Sequence, residues 1–256
     1  MDLGLGGRVA IVIGGGRGIG AAAALALARE GAHVAPLSRT AGEVENVGAG
    51  ARALGVKAVP IACDAADRAA LDAAFARVEQ ELGPPTLLIL CASAHFAPRK
   101  LHMIDDAEIK QLLALDVESQ VAACKRALPG MIEARFGRIV AVGSMAARFG
   151  VPGGTLYGAG KAFLEGLVRG LALDYTRRGV TANAISTGFI DTERLRKRTA
   201  GDPAALDRLV NGTAARRLPS PDELGNLIAF LCSPHAAAIT GAVIDFTAGA
   251  HLNNLW

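Results

Sequence analysis

A chain of 256 residues, half of them hydrophobic, carries ample apolar material for one large domain. Its 27 basic and 24 acidic side chains leave a net charge of +3, too small an excess to mark a nucleic-acid or membrane partner. Cys63, Cys91, Cys124 and Cys232 stand far apart with no CxxC pair, which argues against a disulfide frame or zinc site and for reduced thiols.

Short β-type runs alternate with longer amphipathic stretches along the chain. Strands are predicted at 9–13, 33–37, 57–61, 86–90, 137–143, 181–186 and 242–246, and helices near 18–30, 41–54, 67–81, 105–134, 157–177 and 221–232. The first strand, Val9-Ala10-Ile11-Val12-Ile13, is apolar throughout, as a parallel strand covered on both faces must be. This alternation predicts an α/β fold: a single doubly wound Rossmann domain over 1–256, with a mostly parallel seven-stranded sheet and helices on both faces. No solenoid-length repeat or composition break marks a second domain. Residues 188–220 interrupt the alternation; they are polar and basic, with Pro203 and Pro219, and are expected to form a lid over a substrate. The chain shows no secretory leader pattern and no apolar run of membrane-spanning length, so a soluble, cytoplasmic protein is expected.

The first strand runs into Gly14-Gly15-Gly16-Arg17-Gly18-Ile19-Gly20 and then an alanine-rich helix. Glycines allow a sharp reversal and a close approach of backbone to a pyrophosphate. The helix start offers that pyrophosphate free N–H groups and partial positive charge. A dinucleotide is therefore expected here. At the end of the second strand, an acidic residue would hold a ribose 2′-hydroxyl and repel a 2′-phosphate. The chain has Ser38 and Arg39 instead, with Arg17 in the facing turn, which favours NADP(H) while leaving NAD(H) possible.

Tyr157 and Lys161, at i and i+4, share one helical face, and Ser144 follows a buried-type strand thirteen residues before Tyr157. A free phenol is a poor base at neutral pH, but a neighbouring ammonium and an oxidised nicotinamide favour the phenolate. Tyr157 is then suited to exchange the proton that accompanies hydride transfer, with Ser144 bonding the carbonyl or alkoxide oxygen. Lys161 is placed to hold the nicotinamide ribose as well.

The Gly14-xxx-Gly18-x-Gly20 spacing, with Ser144, Tyr157 and Lys161, resembles the classical short-chain dehydrogenase/reductase family over nearly the whole chain. Within it the chain is similar to 3-oxoacyl-carrier-protein reductases and related alcohol or sugar dehydrogenases. The resemblance implies a small-molecule carbonyl or alcohol substrate, and an adenine contact at Asp64. It further implies cofactor contacts at Ala65, Ala92, Thr187, Gly188, Ile190 and Thr192. Asp116 takes the place of a fourth catalytic residue, an Asn that supports a water relaying protons to the lysine. Other departures are Ile13 for a Thr, Leu90-Cys91-Ala92-Ser93 for Asn-Asn-Ala-Gly, Thr187-Gly188 for Pro-Gly and Thr247-Ala248-Gly249 for Asp-Gly-Gly. A homodimer or homotetramer joined through the helices at 105–134 and 157–177 is also implied, with Arg135 and Arg178 where an acidic carrier docks.

Further expectations concern single residues. Arg148 is a candidate for a substrate carboxylate, and the basic run 194–198 for an anionic tail. Cys91 is read as a small buried hydrophobe, and His95 and His102 as non-metal residues. No metal site is expected. Two rival readings remain on the same frame: a cofactor-binding sensor or scaffold with weak or no turnover, and an isomerase or dehydratase.

Overall fold

The structure, a computed structural model, describes residues 2–94 and 97–252. Seven strands form one sheet in the order β3-β2-β1-β4-β5-β6-β7. They are β1 (Val9–Ile13), β2 (His33–Ser38), β3 (Ile61–Ala62), β4 (Leu87–Leu90), β5 (Gly137–Val142), β6 (Val180–Thr187) and β7 (Val243–Phe246). All pairings are parallel, and β1 lies directly between β2 and β4.

Successive side chains of a strand point to opposite faces, and the two cores follow from this alternation. Ile11 and Ile13 belong to a cluster with Phe75 and Val78 of α3 (Arg68–Leu82), Ala123 of α5 (Ser119–Glu133) and Leu164 of α7 (Thr155–Tyr175). Ala10 and Val12 belong to the other cluster, with Leu27 of α1 (Gly18–Arg29), Ala51 of α2 (Ala41–Ala53) and Ile228 of α10 (Pro221–Cys232). Helices therefore cover both faces.

The observed elements depart from the predicted ones at three places. The strand expected at 57–61 shrinks to Ile61–Ala62, with a lone bridge from Val34 to Ala58. Pro60 has no N–H to give to the ladder, so pairing lapses around it. The helix expected at 105–134 is broken into α4 (Asp106–Leu112), a π-helical turn Leu113–Glu118, and α5. A short helix α6 (Ala146–Phe149), absent from the sequence reading, follows β5.

Within 188–220 the chain forms α8 (Glu193–Thr199) and α9 (Pro203–Asn211). Thr192 caps α8 by accepting the Leu195 N–H. The same Thr192 methyl packs over Gly18 of the glycine turn, so α8 begins against the nucleotide side of the sheet. Among the described residues no helix is long and apolar enough to cross a membrane, and no group of His, Cys, Asp and Glu is placed to hold a metal. His95 lies outside the described residues; His102 is exposed in a short turn.

Candidate active site

The carboxyl ends of the central strands open into a cleft of about 560 Å³. Parallel sheets place ligands there because the chain diverges to either side of the strand order at β1 and β4. Every residue assigned to the cofactor from sequence lines this cleft, as do Ser144, Tyr157 and Lys161. Asp116 does not.

The glycine turn is built by backbone. Gly14, at φ +81°, and Gly15 both donate their N–H groups to Leu37 O, at 2.8 and 2.9 Å. A Cβ on Gly20 would stand 2.1 Å from Gly14 O, so only glycine allows the helix to start this close to the turn. Arg17, the residue capping α1, makes no side-chain bond to the helix start, so the first N–H groups remain available to an anion. At the end of β2, Ser38 Oγ is buried and meets no hydrogen-bond partner among the described residues, an acceptor-seeking group beside exposed Arg39. A donor-rich turn, an orphaned hydroxyl and nearby guanidinium groups suit a phosphorylated dinucleotide, so the residues present fit the expected cofactor.

The reactive side chains come from β5 and α7. Ser144 lies two residues beyond β5, 9% exposed, and its Oγ accepts the Ala146 N–H at 3.2 Å. Tyr157 and Lys161 lie one turn apart in the first half of α7, with Lys161 Nζ 5.9 Å from the centre of the Tyr157 ring. Lys161, 4% exposed, donates to Val142 O at 3.2 Å and lies 3.7 Å from Asp116 Oδ1. A buried ammonium needs such partners, because desolvation without them is expensive.

Asp116 stands against Lys161, the residue that its expected water-relay role would serve. It is 3% exposed behind the cleft, on the π-helical turn that swings it towards α7. Its Oδ1 accepts the Ser93 hydroxyl at 2.7 Å and its Oδ2 accepts the Ala94 N–H at 2.7 Å. Two departures from the family pattern, Asp116 and Ser93, are thus bonded to each other. In the sequence Ser93 stands out only as part of a changed motif, and its partnership with Asp116 carries no local signal.

Arg148 corrects an expectation. Its Nε lies 3.3 Å from Glu165 Oε1 and its Nη1 3.2 Å from Asp245 Oδ2, so it ties α6 to α7 and β7 and does not line the cleft. In the basic run, Arg196 pairs with Asp191 at 2.7 Å and Lys197 with Glu193 at 2.6 Å. Arg198 lies 6.0 Å over the Phe189 ring. Arg135 and Arg178 precede β5 and β6, at the sheet edge opposite the cleft. Cys91 does line the cleft, but burial pushes its thiol up to about 12 against the pull of Lys161, so it is a protonated thiol at neutral pH. Glu43, unremarked in sequence, also lines the cleft; an acid in the first turn of α2 was the available signal.

A doubly wound sheet with a dinucleotide-type turn and a Ser, Tyr and Lys at its carboxyl edge defines the class: an oxidoreductase built on a Rossmann domain. Residues 14–251 match the family model described as enoyl-(acyl carrier protein) reductase. The chain belongs to the short-chain dehydrogenase/reductase family, whose members act on carbonyl and CH–OH groups. It is 33% identical to the 3-oxoacyl-(acyl-carrier-protein) reductase FabG of Pseudomonas aeruginosa, over 96% of this chain and 98% of that protein. It is 33% identical to 2-(S)-hydroxypropyl-CoM dehydrogenase 3 of Xanthobacter autotrophicus, over 94% of this chain and 96% of that one. Among solved structures, a 3-oxoacyl (acyl-carrier-protein) reductase from Agrobacterium tumefaciens with NADP bound matches with a TM-score of 0.91 at 32% identity, covering 97% of this chain and 96% of that one. The L-sorbose reductase of Gluconobacter frateurii, complexed with NADPH and L-sorbose, matches with a TM-score of 0.91 at 26% identity, covering 98% and 99%.

Proposed function

We propose that this chain is an NADP(H)-dependent oxidoreductase that interconverts a carbonyl and a secondary alcohol, with Tyr157 as general acid and base. The observation that carries the reading is the buried Lys161, held one turn from Tyr157 in a cleft whose other end is a phosphate cradle. When bound, the dinucleotide supplies or takes up the hydride. In the reducing direction the Tyr157 hydroxyl gives its proton to the carbonyl oxygen as the hydride reaches the carbon. Ser144 Oγ donates a hydrogen bond to that oxygen, and the Lys161 ammonium stabilises the phenolate left behind. In the oxidising direction each proton moves back along the same path.

The preference for NADP(H) over NAD(H) rests on the absence of a carboxylate at Ser38–Arg39 and on Arg17, and the NADP- and NADPH-bound relatives agree with it. The cleft lining includes Leu115, Met145, Val151 and Phe189, which suits a carbonyl attached to an apolar body. In this reading residues 188–220 form the lid, the chain works as a single domain in the cytoplasm, and copies associate through the helical segments 105–134 and 157–177 as a homodimer or homotetramer. A sensor or scaffold without turnover is the less favoured reading, because a binding module has no use for a buried lysine beside Tyr157.

Loss of NADPH absorbance with a ketone panel tests the proposal. Tyr157→Phe should lower turnover by about 10²–10⁴-fold while NADPH still binds. Equal rates for the variant and the parent chain would sink it, and turnover of a substrate with no change in the nicotinamide would point to an isomerase or dehydratase.

A further inference from the structure

The mouth of the cleft at the end of β2 sets an acid, Glu43, among its cations. Ser38, Arg39, Arg17 and Glu43 all line it. Glu43 Oε1 lies 3.3 Å from Arg17 Nη1, joining the first turn of α2 to the glycine turn across 26 residues of sequence. Arg17 also acts through space on Glu193 at the start of α8, adding to the lowering of that carboxyl that Lys197 causes first. The guanidinium expected to meet a 2′-phosphate is therefore already engaged. Ser38 Oγ, at the same mouth, has no hydrogen-bond partner among the described residues.

We infer that Glu43 sets the cofactor discrimination of this chain by holding Arg17 as its counter-ion and opposing a 2′-phosphate. The inference rests on the proposed dinucleotide reading. A ligand with a free ribose 2′-hydroxyl leaves the Arg17–Glu43 pair intact and can donate that hydroxyl to the carboxylate. A ligand with a 2′-phosphate must take Arg17 from Glu43 and lie close to a like charge. The contest narrows the margin between the two ligands without abolishing the preference, since Arg39 lines the same mouth as a second cation and Ser38 as a donor. The pair is largely exposed, with side chains 69% and 31% accessible, so its influence is modest and screened by salt.

Calorimetric titration of the full chain with NADPH, NADH, 2′,5′-ADP and 5′-ADP provides the test; the last two isolate the 2′-phosphate from the nicotinamide. Glu43→Gln should tighten NADPH and 2′,5′-ADP by about fivefold and leave NADH and 5′-ADP within about twofold. In an Arg17→Ala background the same substitution should gain less, because the guanidinium it frees is gone. An unchanged NADPH-to-NADH affinity ratio in Glu43→Gln, or full additivity with Arg17→Ala, overturns the role of Glu43. A parent chain that binds none of the four ligands overturns the dinucleotide reading itself, and this inference with it. Glu43→Ala, on an exposed helix turn, repeats the measurement should the amide variant fold poorly.

Discussion

Asp116 is held in the core by three partners: Ser93 and Ala94 from the segment after β4, and Lys161 from α7. Removing it strands a buried ammonium, and the cost of breaking such a pair is about 3–5 kcal/mol. Asp116→Ala should therefore lose that much in urea unfolding, and Asp116→Asn, which keeps an acceptor for Ser93, distinctly less. A loss below about 1 kcal/mol for the alanine variant would show that Lys161 does not depend on the carboxylate. The cysteines make a second prediction at this scale. Burial pushes Cys63 up to about 11 and Cys91, Cys124 and Cys232 to about 12. Native thiols should resist Ellman's reagent at pH 8 and all four should react on unfolding; rapid modification of the native chain would refute this. Because the folded values are raised, their contribution to stability is complete below the unfolded thiol value near ~8.5 and is lost as pH climbs towards the folded ones. Ser144, Tyr157 and Lys161 were legible in the sequence because the proton transfer proposed for them calls for these residue types and one helix fixes the spacing of two of them. Asp116 was legible as a substitution only: that Ser93, 23 residues away, donates to it depends on a fold that brings β4 beside the π-helical turn.

Elements were legible wherever hydrophobic period and punctuation agreed. β1 announces itself by an unbroken apolar run, β5 by the apolar Ile139–Val142, and α1 by the glycine turn before it. β3 was overcalled because Pro60 carries no apolar-pattern penalty yet removes a ladder donor. The π-helical turn escaped notice because inserting one residue into a helix leaves no mark in composition. Helix α10 was placed correctly from sequence, but its capping box emerges only in structure: Ser220 Oγ accepts the Glu223 N–H at 3.1 Å, and the Glu223 carboxylate accepts the Ser220 N–H at 2.8 Å. Ser220→Ala should cost about 1 kcal/mol, read from the unfolding midpoint in denaturant. Arg217, and then the Ser220 N–H, depress the Glu223 carboxyl to about 2. A depressed folded value means that the stabilisation is present above the unfolded value near ~4.3 and fades as pH falls towards about 2. Acid unfolding curves of the parent chain and Glu223→Gln should therefore differ near neutral pH and converge at the acid end; a constant gap would contradict the assignment.

For the whole molecule, occupancy of the cleft and folding are linked. A dinucleotide that binds only the folded chain should raise its unfolding free energy by about 2.7 kcal/mol at 100 times its dissociation constant. Thermal melts with and without NADPH measure this, and an unmoved midpoint at saturating ligand would exclude tight binding. The arrangement of the whole sheet was legible because strand–helix alternation admits few topologies. The position of α8 over the glycine turn was not, because residues 188–220 carry weak periodicity and their contacts are long-range.

The strand order carries a further consequence, for solubility. The sheet ends on one side with the two residues of β3 and on the other with the four of β7, while β6 next to it runs for eight buried residues. Short edges give foreign strands little to pair with. A chain cut before residue 243 would instead leave Ala184–Thr187 of β6 as an unpaired stretch of strand edge. The last strand thus acts as a stopper as well as a structural member: it closes the sheet against self-association.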